Sequence, residues 1–394
     1  MTDDNSSRKL WADLAPILVG HVCLHAVLTG ARMAAPLLAL ESGHGAAGAG
    51  VLVALFAATQ IFLSLPAGRF ADRHGLKRPA AMSVVAAACG AGMAALWPVY
   101  LALCVAALLV GGAVGAATIA LQRHAGRLAQ SPSELKQAFS WLAIAPAVSA
   151  LVGPLSVGFM IDHGGYRAAF ALLAAFPLLA WLLLRRAREV IDEEAPVASG
   201  GTAWELLKAG PMRRLMVMNW VMIGAWDLHG FMVPVLGHER GLSASAIGAI
   251  LAAFAIASAF IRLLLPVLAR RIREWALITG ALGISGMVFL AYPFTRNAVL
   301  MGLCSALLGM ALGMVQPMIM SMLHQITPRH RQGEALGVRL VLINLSSAGM
   351  PLLFGAVGGV IGSGGVFWAM GLIVALGSRL GFRLRDDASG ADPH

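Results

Sequence analysis

The sequence predicts an all-α integral membrane protein with twelve transmembrane helices, arranged as two six-helix bundles related by pseudo-two-fold symmetry. Three observations predict this class: the composition, a series of apolar segments of membrane-spanning length, and an internal repeat. The 394-residue chain is 59% hydrophobic and only 12% charged, with a mean hydropathy of +0.78. Soluble domains are about 25% charged, so this composition indicates a chain surrounded by lipid.

Apolar segments of about 20 residues, enough to cross a hydrocarbon core of roughly 30 Å, recur along the whole chain. The predicted spans are 14–38, 49–68, 79–97, 100–121, 138–161, 168–184, 215–237, 246–268, 275–293, 298–323, 335–358 and 364–382. The longest polar segment separates two groups of six spans. We therefore predict an N-terminal bundle (1–184), a cytoplasmic linker (185–214) and a C-terminal bundle with a short cytoplasmic tail (215–394).

The net charge of +10 would suit a nucleic-acid partner, but the distribution of the 29 Lys and Arg residues indicates membrane orientation instead. With both termini inside, the basic residues concentrate in the tails and inward loops. Only Arg167, Arg240 and Arg296 fall outside. We expect a multi-pass protein of the inner (cytoplasmic) membrane, with both termini cytoplasmic, the lipid bilayer around it and no nucleic-acid partner.

Motifs for enzymatic or metal chemistry are absent from the sequence. It has no phosphate-binding G-x-x-x-x-G-K-[ST] and no His/Cys metal spacing. The four cysteines lie in predicted spans at spacings that match no zinc or disulfide framework. The N-terminus carries acids and lacks a small-residue cleavage site, so we expect no cleaved signal peptide. We predict no enzyme activity, no cofactor and no bound metal.

The second half of the sequence repeats the first. A shift of 198 positions, the separation of Pro36 and Pro234, aligns a series of residues in order. The further pairs are Leu38/Leu236, Glu41/Glu239, Gly43/Gly241, Gly50/Gly248, Ala54/Ala252, Phe56/Phe254, Ala57/Ala255, Phe62/Phe260, Ala71/Ala269, Arg73/Arg271, Gly111/Gly309 and Gly115/Gly313. Duplicated parallel halves with a substrate site between them near mid-bilayer are one recurring transporter architecture.

The segment GRFADRHGLKRP, residues 68–79, concentrates charge after the second span. Gly68, Asp72, Arg73, Gly75 and Lys77 match G-x-x-x-D-R-x-G-x-K, which resembles the loop signature of the major facilitator superfamily. The resemblance implies an inward loop in which Asp72 acts as a latch against neighbouring helix ends in the outward-facing state. At the matching place in the second half Arg270 replaces the acid, so we expect an asymmetric gate.

A second motif lies in the fifth span, SALVGPLSVG. Gly153, Pro154 and Gly158 are similar to the G-P-x-x-x-G core of the antiporter signature in that superfamily, although Ser149 and Val157 replace two common glycines. The resemblance covers essentially the whole chain. It implies the major facilitator fold and is closest to the twelve-helix drug/proton antiporters. The fourth span lacks the arginine that such proteins often carry, so their usual coupling route cannot be assigned to this helix.

Charged residues inside spans are costly and usually face a cavity or a partner. In the first span His21, His25 and Arg32 fall within about 40° of one another on a helix, which predicts a polar stripe lining the central path. The alternative is a set of structural hydrogen bonds to neighbouring helices.

The seventh span contains Asp227, the only carboxylate near the middle of any predicted span, and Asn219 at the position of His21. Our hypothesis is that Asp227 binds the proton and that Arg32 is its charged partner or contacts substrate. A permanent ion pair is the alternative, and the span histidines, His229 among them, are rival proton carriers. Asp227 and His229 should face nearly opposite sides of the helix.

The other candidates are polar or aromatic residues of the spans. Arg262, Arg339 and Asn344 either contact an anionic substrate or, for the arginines, bind helix carbonyls near the inner gate. Gln60 and Gln316 are donors to the cavity or to neighbouring helices. Trp226 is the candidate substrate platform.

From these features we predict a secondary transporter working by alternating access. The leading function is proton-coupled efflux of a small amphipathic or hydrophobic compound, with protons as the coupling ion and the protein as a monomer. The alternatives are an importer or facilitator of an organic anion and a membrane sensor without transport. The identity of the substrate does not follow from the sequence.

Overall fold

A computed structural model describes residues 2–128, 134, 138–139, 141–187, 189, 207–208, 210–268, 274–327 and 332–389. This part of the chain contains ten long α-helices and a 3₁₀ turn at Tyr292–Phe294. The helices are α1 (Thr2–Glu41), α2 (Gly45–His74), α3 (Lys77–Leu96), α4 (Tyr100–Leu128), α5 (Ile144–Leu184), α6 (Gly210–Glu239), α7 (Ala244–Leu268), α8 (Glu274–Ala291), α9 (Ala298–Ile326) and α10 (Gln332–Ser389). All ten are long and apolar enough to cross a membrane, and the predicted all-α membrane class is confirmed.

Helix α5 reverses its direction at Gly165, which has φ +75° and ψ 177°. A β-carbon at Gly30 of α1 would lie 2.8 Å from the side chains of both Val157 and Leu173. In a straight helix those two residues would be about 24 Å apart. The chain therefore folds back at the glycine, whose positive φ is available to residues without a β-carbon.

Helix α10 reverses in the same way at Gly362, with φ +76°. Ser347, on the first segment, contacts Asp227. Ser363, just past the glycine, contacts Glu239 near the end of α6. On the return segment Gly377 packs against Val221. The α10 contacts thus move toward the C-terminal end of α6 along the first segment and back toward its N-terminal end along the second. With both reversals the ten described helices form twelve segments, and a membrane crossing by all twelve stays a prediction.

Residue contacts divide the chain into two compact units. Unit 1 comprises Met1–His44, Val51–Val197 and Ser243–Ala252; unit 2 comprises Gly45–Gly50, Ala198–Leu242 and Ala253–His394. In unit 1, α1 packs mainly on α5, and α3 packs on α4 and α5. In unit 2, α6 packs mainly on α10, and α8 packs on α9 and α10. The predicted domain boundaries at 185 and 214 stay predictions.

The two units repeat their closest helix contacts. A β-carbon at Gly111 would overlap the backbone of Phe56, and one at Gly309 would overlap the backbone of Phe254. These pairs are related by the 198-residue shift of the sequence repeat. Glycine is needed at both places because a larger residue would force the helices apart.

The charged segment 68–79 is less of a loop than the sequence suggested. Helix α2 continues to His74 and α3 begins at Lys77. The turn between them therefore contains only Gly75 and Leu76. Gly75 adopts φ +70° where α2 ends, and its amide donates to the Ala71 carbonyl, as in a glycine-terminated helix. The glycine allows the chain to turn without a longer connection.

Candidate functional site

Helix α6 carries the main polar candidates of unit 2 inside an otherwise apolar environment. The exposed fractions of Asn219, Asp227 and His229 are 0%, 9% and 2%. Their side chains lie among buried Met, Val and Leu residues of the same helix. Buried polar groups of this kind need partners from neighbouring helices, so the partners define what the site can do.

Two hydrogen bonds join α6 to the first segment of α10. The hydroxyl of Ser347 donates to Asp227 Oδ2 at 3.4 Å, and Arg339 Nε donates to Asn219 Oδ1 at 3.0 Å. The two α6 residues are eight positions apart, as are the two α10 residues, so the helices run side by side. The hydrogen bonds are therefore about 12 Å apart along the helices, which gives the site an upper and a lower level.

The lower level contains two further buried nitrogen donors. Arg339 Nη2 and Asn219 Nδ2 are buried and have no hydrogen-bond partner among the described residues. Of the two roles predicted for Arg339, binding of a helix carbonyl is not the one observed, because its Nε donates to a side chain.

A second polar group of unit 2 surrounds Trp226. The guanidinium carbon of Arg262 lies 5.9 Å from the centre of the Trp226 ring, and the Phe254 ring meets that indole edge to face at 4.6 Å. Arg262 Nε donates to the Gly313 carbonyl at 3.3 Å, and Nη2 donates to Gln316 Oε1 at 3.5 Å. Arg262 thus binds a helix carbonyl, one of its two predicted roles, and stands at cation–π distance from Trp226.

His229 faces a different neighbour from Asp227, as the helical spacing predicted. Its Nε2 lies 2.9 Å from Ser305 Oγ on α9, and its ring stacks on Phe254 at 4.0 Å. Ser305 Oγ also lies 2.8 Å from the Tyr292 hydroxyl. Sequence reasoning missed both partners, because single hydroxyl residues in apolar spans are common and give no pattern.

In unit 1, His21 and His25 share a face of α1, as predicted, with ring centres 5.9 Å apart. His21 Nε2 lies 3.3 Å from Thr118 Oγ1, whose hydroxyl donates to the Val114 carbonyl at 2.8 Å. The other ring nitrogen, His21 Nδ1, is buried and has no hydrogen-bond partner among the described residues.

The other predicted cavity residues are only partly buried. Arg32 and Asn344 are both half-buried. Gln60 is also half-buried and packs its side chain over Gly115 of α4. Arg32 belongs to unit 1 and Asp227 to unit 2; their pairing stays a prediction.

The residues of the predicted inner gate occupy α2, the turn and the start of α3. Gly68 lies within α2, and Arg73 is exposed. The side chain of Asp72 lies outside the described residues, so the latch stays a prediction. Glu189, which sequence reasoning missed, accepts a hydrogen bond from the Lys77 amide at 3.1 Å beside Gly75. A carboxylate in this position stabilises the N-terminus of α3.

The motif of the fifth span contributes helix contacts within unit 1. Gly153 packs closely against Thr29 and the backbone of α1, while Gly158 packs against Ala244. The Pro154 carbonyl lies beside Gly248. Asp162, near Gly165, accepts hydrogen bonds from the amides of Ala244 and Ser245 at 3.0 and 2.9 Å. These glycines permit close helix packing, which is the role that their small size suggests.

Comparison with known proteins agrees with this architecture. The family model of the Major Facilitator Superfamily matches residues 17–225 and 215–393. A bacterial homolog of the human lysosomal transporter Spinster, in an inward-facing and unoccupied conformation, superposes with a TM-score of 0.76 at 14% identity, covering 94% of this chain and 96% of that one.

Two other solved structures are POT family transporters. One, in complex with a thioalcohol-conjugated peptide, has a TM-score of 0.75 at 13% identity and covers 95% of this chain and 96% of its own. The other, in complex with 5-aminolevulinic acid, has a TM-score of 0.73 at 13% identity, with coverages of 93% and 95%. At such identities the likeness concerns the fold. With the family model matching both halves, the chain belongs to the major facilitator superfamily of membrane transporters.

Proposed function

We propose that this transporter exports a small amphipathic compound in exchange for protons, with Asp227 as the proton-binding group. The burial of Asp227 carries the proposal: the carboxylate is 9% exposed in the middle of α6, and a serine hydroxyl donates to it. A neutral hydroxyl can accompany both the ionised and the protonated carboxyl group. Such a partner suits a group that gains and loses a proton during transport.

Arg32 is the proposed charged partner of Asp227 when the proton has left. An arginine near a carboxylate favours the ionised form, whereas burial favours the protonated one. Movement of the arginine between conformations would therefore switch proton binding. His21, whose Nδ1 is buried without a hydrogen-bond partner among the described residues, is the rival proton carrier. His229 is a weaker rival because its Nε2 is engaged with Ser305.

The proposal extends to the setting of the protein. We place both termini in the cytoplasm, because the basic residues concentrate in the predicted inward loops, and we propose a monomer of the inner membrane. Asp72 is the proposed latch of the inner gate. Uptake of an organic anion is the second candidate, since Arg262 and Arg339 bring two positive charges into the helices of unit 2.

The experiment begins with a thermal-shift screen of the purified protein to find a ligand. The protein and its Asp227→Asn variant are then reconstituted into liposomes that contain a pH-sensitive dye. Addition of the ligand outside should raise the luminal pH of wild-type vesicles, because ligand entering against protons drives protons out. The variant should lose this proton flux and keep exchange of labelled ligand for unlabelled ligand.

The matched control is Asp13→Asn, which removes a half-buried carboxylate at the N-terminal start of the first span. It should retain both activities. Proton flux that survives in Asp227→Asn would transfer the role to a histidine, and His21→Gln would then be the deciding variant. A luminal pH that falls on addition of ligand would indicate co-transport in the direction of uptake and would contradict export by exchange.

A further inference from the structure

Arg339 is a positive charge enclosed within unit 2 without an acidic partner among the described residues. The residue is 6% exposed, and its one described hydrogen bond runs from Nε to Asn219 Oδ1 at 3.0 Å. Asp227, the carboxylate of the neighbouring helix, lies at the upper level, about two helical turns beyond Asn219 along α6. The amide oxygen of Asn219 is neutral, so the charge of the guanidinium is not compensated there.

The arrangement also leaves two donors without acceptors. Arg339 Nη2 and Asn219 Nδ2 are buried and have no hydrogen-bond partner among the described residues. Each nitrogen is two bonds from an atom of the Arg339–Asn219 hydrogen bond, so both donors lie in one small region. Buried donors are nearly always paired in folded proteins, and an unpaired charged donor is especially unfavourable. Among the described residues, this region therefore offers no acceptor for the two donors.

Arg262, in the same unit, is an arginine whose Nε and Nη2 donors both have acceptors. Its Nε donates to the Gly313 carbonyl, its Nη2 donates to Gln316, and its guanidinium lies over Trp226. Arg339 has neither a backbone carbonyl nor an aromatic ring among its described contacts. Packing of an arginine inside unit 2 thus does not by itself leave its donors unpaired.

At the equivalent described positions, the first half of the chain does not have the Asn–Arg pair. The sequence repeat places His21 at the position of Asn219. Gly158 of the fifth span packs on Ala244, and Gly355 of α10 packs in the same way on Ala46. The two glycines are 197 residues apart, and the same shift places Leu142 at the position of Arg339. Leu142 is buried in an apolar cluster. The common scaffold therefore does not require an arginine here.

We propose that Arg339 and Asn219 bind an anionic oxygen group, a carboxylate or a phosphate, and that the transported compound carries such a group. Anionic oxygens accept charge-assisted hydrogen bonds from guanidinium and amide N–H groups, which is the chemistry that these two donors lack. That the compound is transported rests on the proposed function, whereas the anion site itself rests on the geometry of unit 2. Its distance from Asp227 makes anion binding and proton binding separately measurable.

The same chemistry is present in the headgroups of acidic lipids. Leu340 and Val341, next to Arg339, are 55% and 49% exposed, as side chains on a lipid-facing surface would be. A phospholipid phosphate and a free organic acid are thus two sources of one ligand group, and the experiment has an arm for each.

The test measures binding to the full-length protein in detergent by calorimetry, with sodium benzoate, its neutral analogue benzamide, and inorganic phosphate as probes. Wild-type protein should bind benzoate or phosphate and not benzamide. Arg339→Gln should weaken anion binding at least about tenfold, the loss expected for one hydrogen bond to a charged group. Asn219→Asp should abolish it, because a carboxylate of the same shape would then occupy the guanidinium.

Arg240→Gln is the matched control. Arg240 is a half-buried arginine of unit 2 that donates to Thr295 and to the Pro293 carbonyl, away from α10. This variant should bind the anions as wild type does. If Arg339→Gln fails to fold, Asn219→Asp still tests the site, since it preserves the volume and supplies the missing negative charge.

The lipid arm uses nanodiscs of phosphatidylcholine with or without phosphatidylglycerol. Stabilisation by phosphatidylglycerol that disappears in Asn219→Asp, without benzoate or phosphate binding, assigns the site to a headgroup. Binding of the soluble anions assigns it to cargo. Equal binding of benzoate and benzamide, wild-type affinity in Asn219→Asp, or no effect of any anion overturns the proposal. None of these outcomes depends on a proton gradient, so proton-coupled export can fail or stand independently.

Discussion

The two halves of this transporter repeat their helix packing but differ in what they place inside it. In unit 2, His229, Ser305 and Tyr292 form a buried hydrogen-bonded chain. The 198-residue shift places three alanines, Ala31, Ala107 and Ala94, at the same positions of unit 1. All three alanines are buried in one apolar cluster of unit 1. One scaffold thus contains a polar chain in one half and apolar packing in the other.

The comparison shows which features the scaffold requires and which it merely allows. The contacts of Gly111 with Phe56 and of Gly309 with Phe254 occur in both halves because they set the distance between helices. Polar interior residues differ between the two halves because each of them needs only a nearby hydrogen-bond partner. We therefore expect the glycines to matter equally in the two units and the polar residues to matter in one.

The largest effect should come from filling the shared helix contact. Gly309→Ala and Gly111→Ala each insert a methyl group into the backbone of a phenylalanine. Because a neighbouring backbone yields less than a side chain, each variant should lose about 3 kcal/mol of stability, at the upper end of the range for overpacking. The measurement is thermal unfolding of the purified protein, followed with the yield of monodisperse material.

Gly302→Ala is the matched control on the same helix as Gly309, because a β-carbon at Gly302 meets nothing within 4 Å. It should be neutral or more stable by up to about 1 kcal/mol, the difference between alanine and glycine in a helix. A severe effect at Gly309 with none at Gly111 would show that the two halves do not share this packing requirement.

An intermediate effect should follow from Ser305→Ala, which interrupts the polar chain of unit 2. The variant leaves His229 Nε2 and the Tyr292 hydroxyl without their common partner, although Tyr292 keeps the Met301 carbonyl at 3.2 Å. Loss of a buried partner should cost about 2 kcal/mol. Thermal unfolding measures this loss.

Ser285→Ala provides the comparison for Ser305. Ser285 is also fully buried in unit 2, but its hydroxyl donates to the Ala281 carbonyl of its own helix at 2.8 Å. Removing that hydroxyl should change stability by less than about 1 kcal/mol, because the carbonyl also takes part in the helix. Equal losses in the two variants would mean that the interhelical chain adds nothing.

The smallest effect should come from Arg262→Lys, at a position where the first half has Ser64. Lysine keeps the charge but lacks the planar fork that reaches Gly313 and Gln316. Those contacts are long and the residue is half-buried, so the expected loss is about 0.5–1 kcal/mol. Arg379→Lys, an exposed change in α10, should have no measurable effect on thermal unfolding; a loss as large as that of Arg262→Lys would contradict a role for the fork.

The fold was largely predictable because apolar length and repeat spacing are properties of the sequence. The positions of α3, α6 and α8 follow the apolar segments, and Gly111 and Gly309 could be paired before their contacts were known. The extension of α2 through His74 was not predicted, because Arg69, Asp72 and Arg73 indicated a solvated loop. A helix can carry charge beyond the membrane, where composition no longer marks its end.

The relative directions of some candidate side chains were predictable, and their hydrogen-bond partners were not. Helical spacing placed His21 and His25 on one face and separated Asp227 from His229. Helical spacing did not predict the partners Ser347, Ser305 and Thr118, since these residues lie on other helices and serine and threonine are common in membrane spans. Hydrogen-bond partners more than 75 residues away along the chain depend on helix register, which apolar periodicity does not specify.

The sequence by itself determined the membrane class, the duplication and the short list of polar residues inside the spans, because each depends on composition or order along the chain. The tertiary structure decided which groups these residues contact: a serine hydroxyl at Asp227, a carbonyl and an indole at Arg262, and one amide oxygen at Arg339. The physical reason is that the hydrogen bonds of a buried polar group depend on atoms of neighbouring helices, and only helix packing brings those atoms within reach.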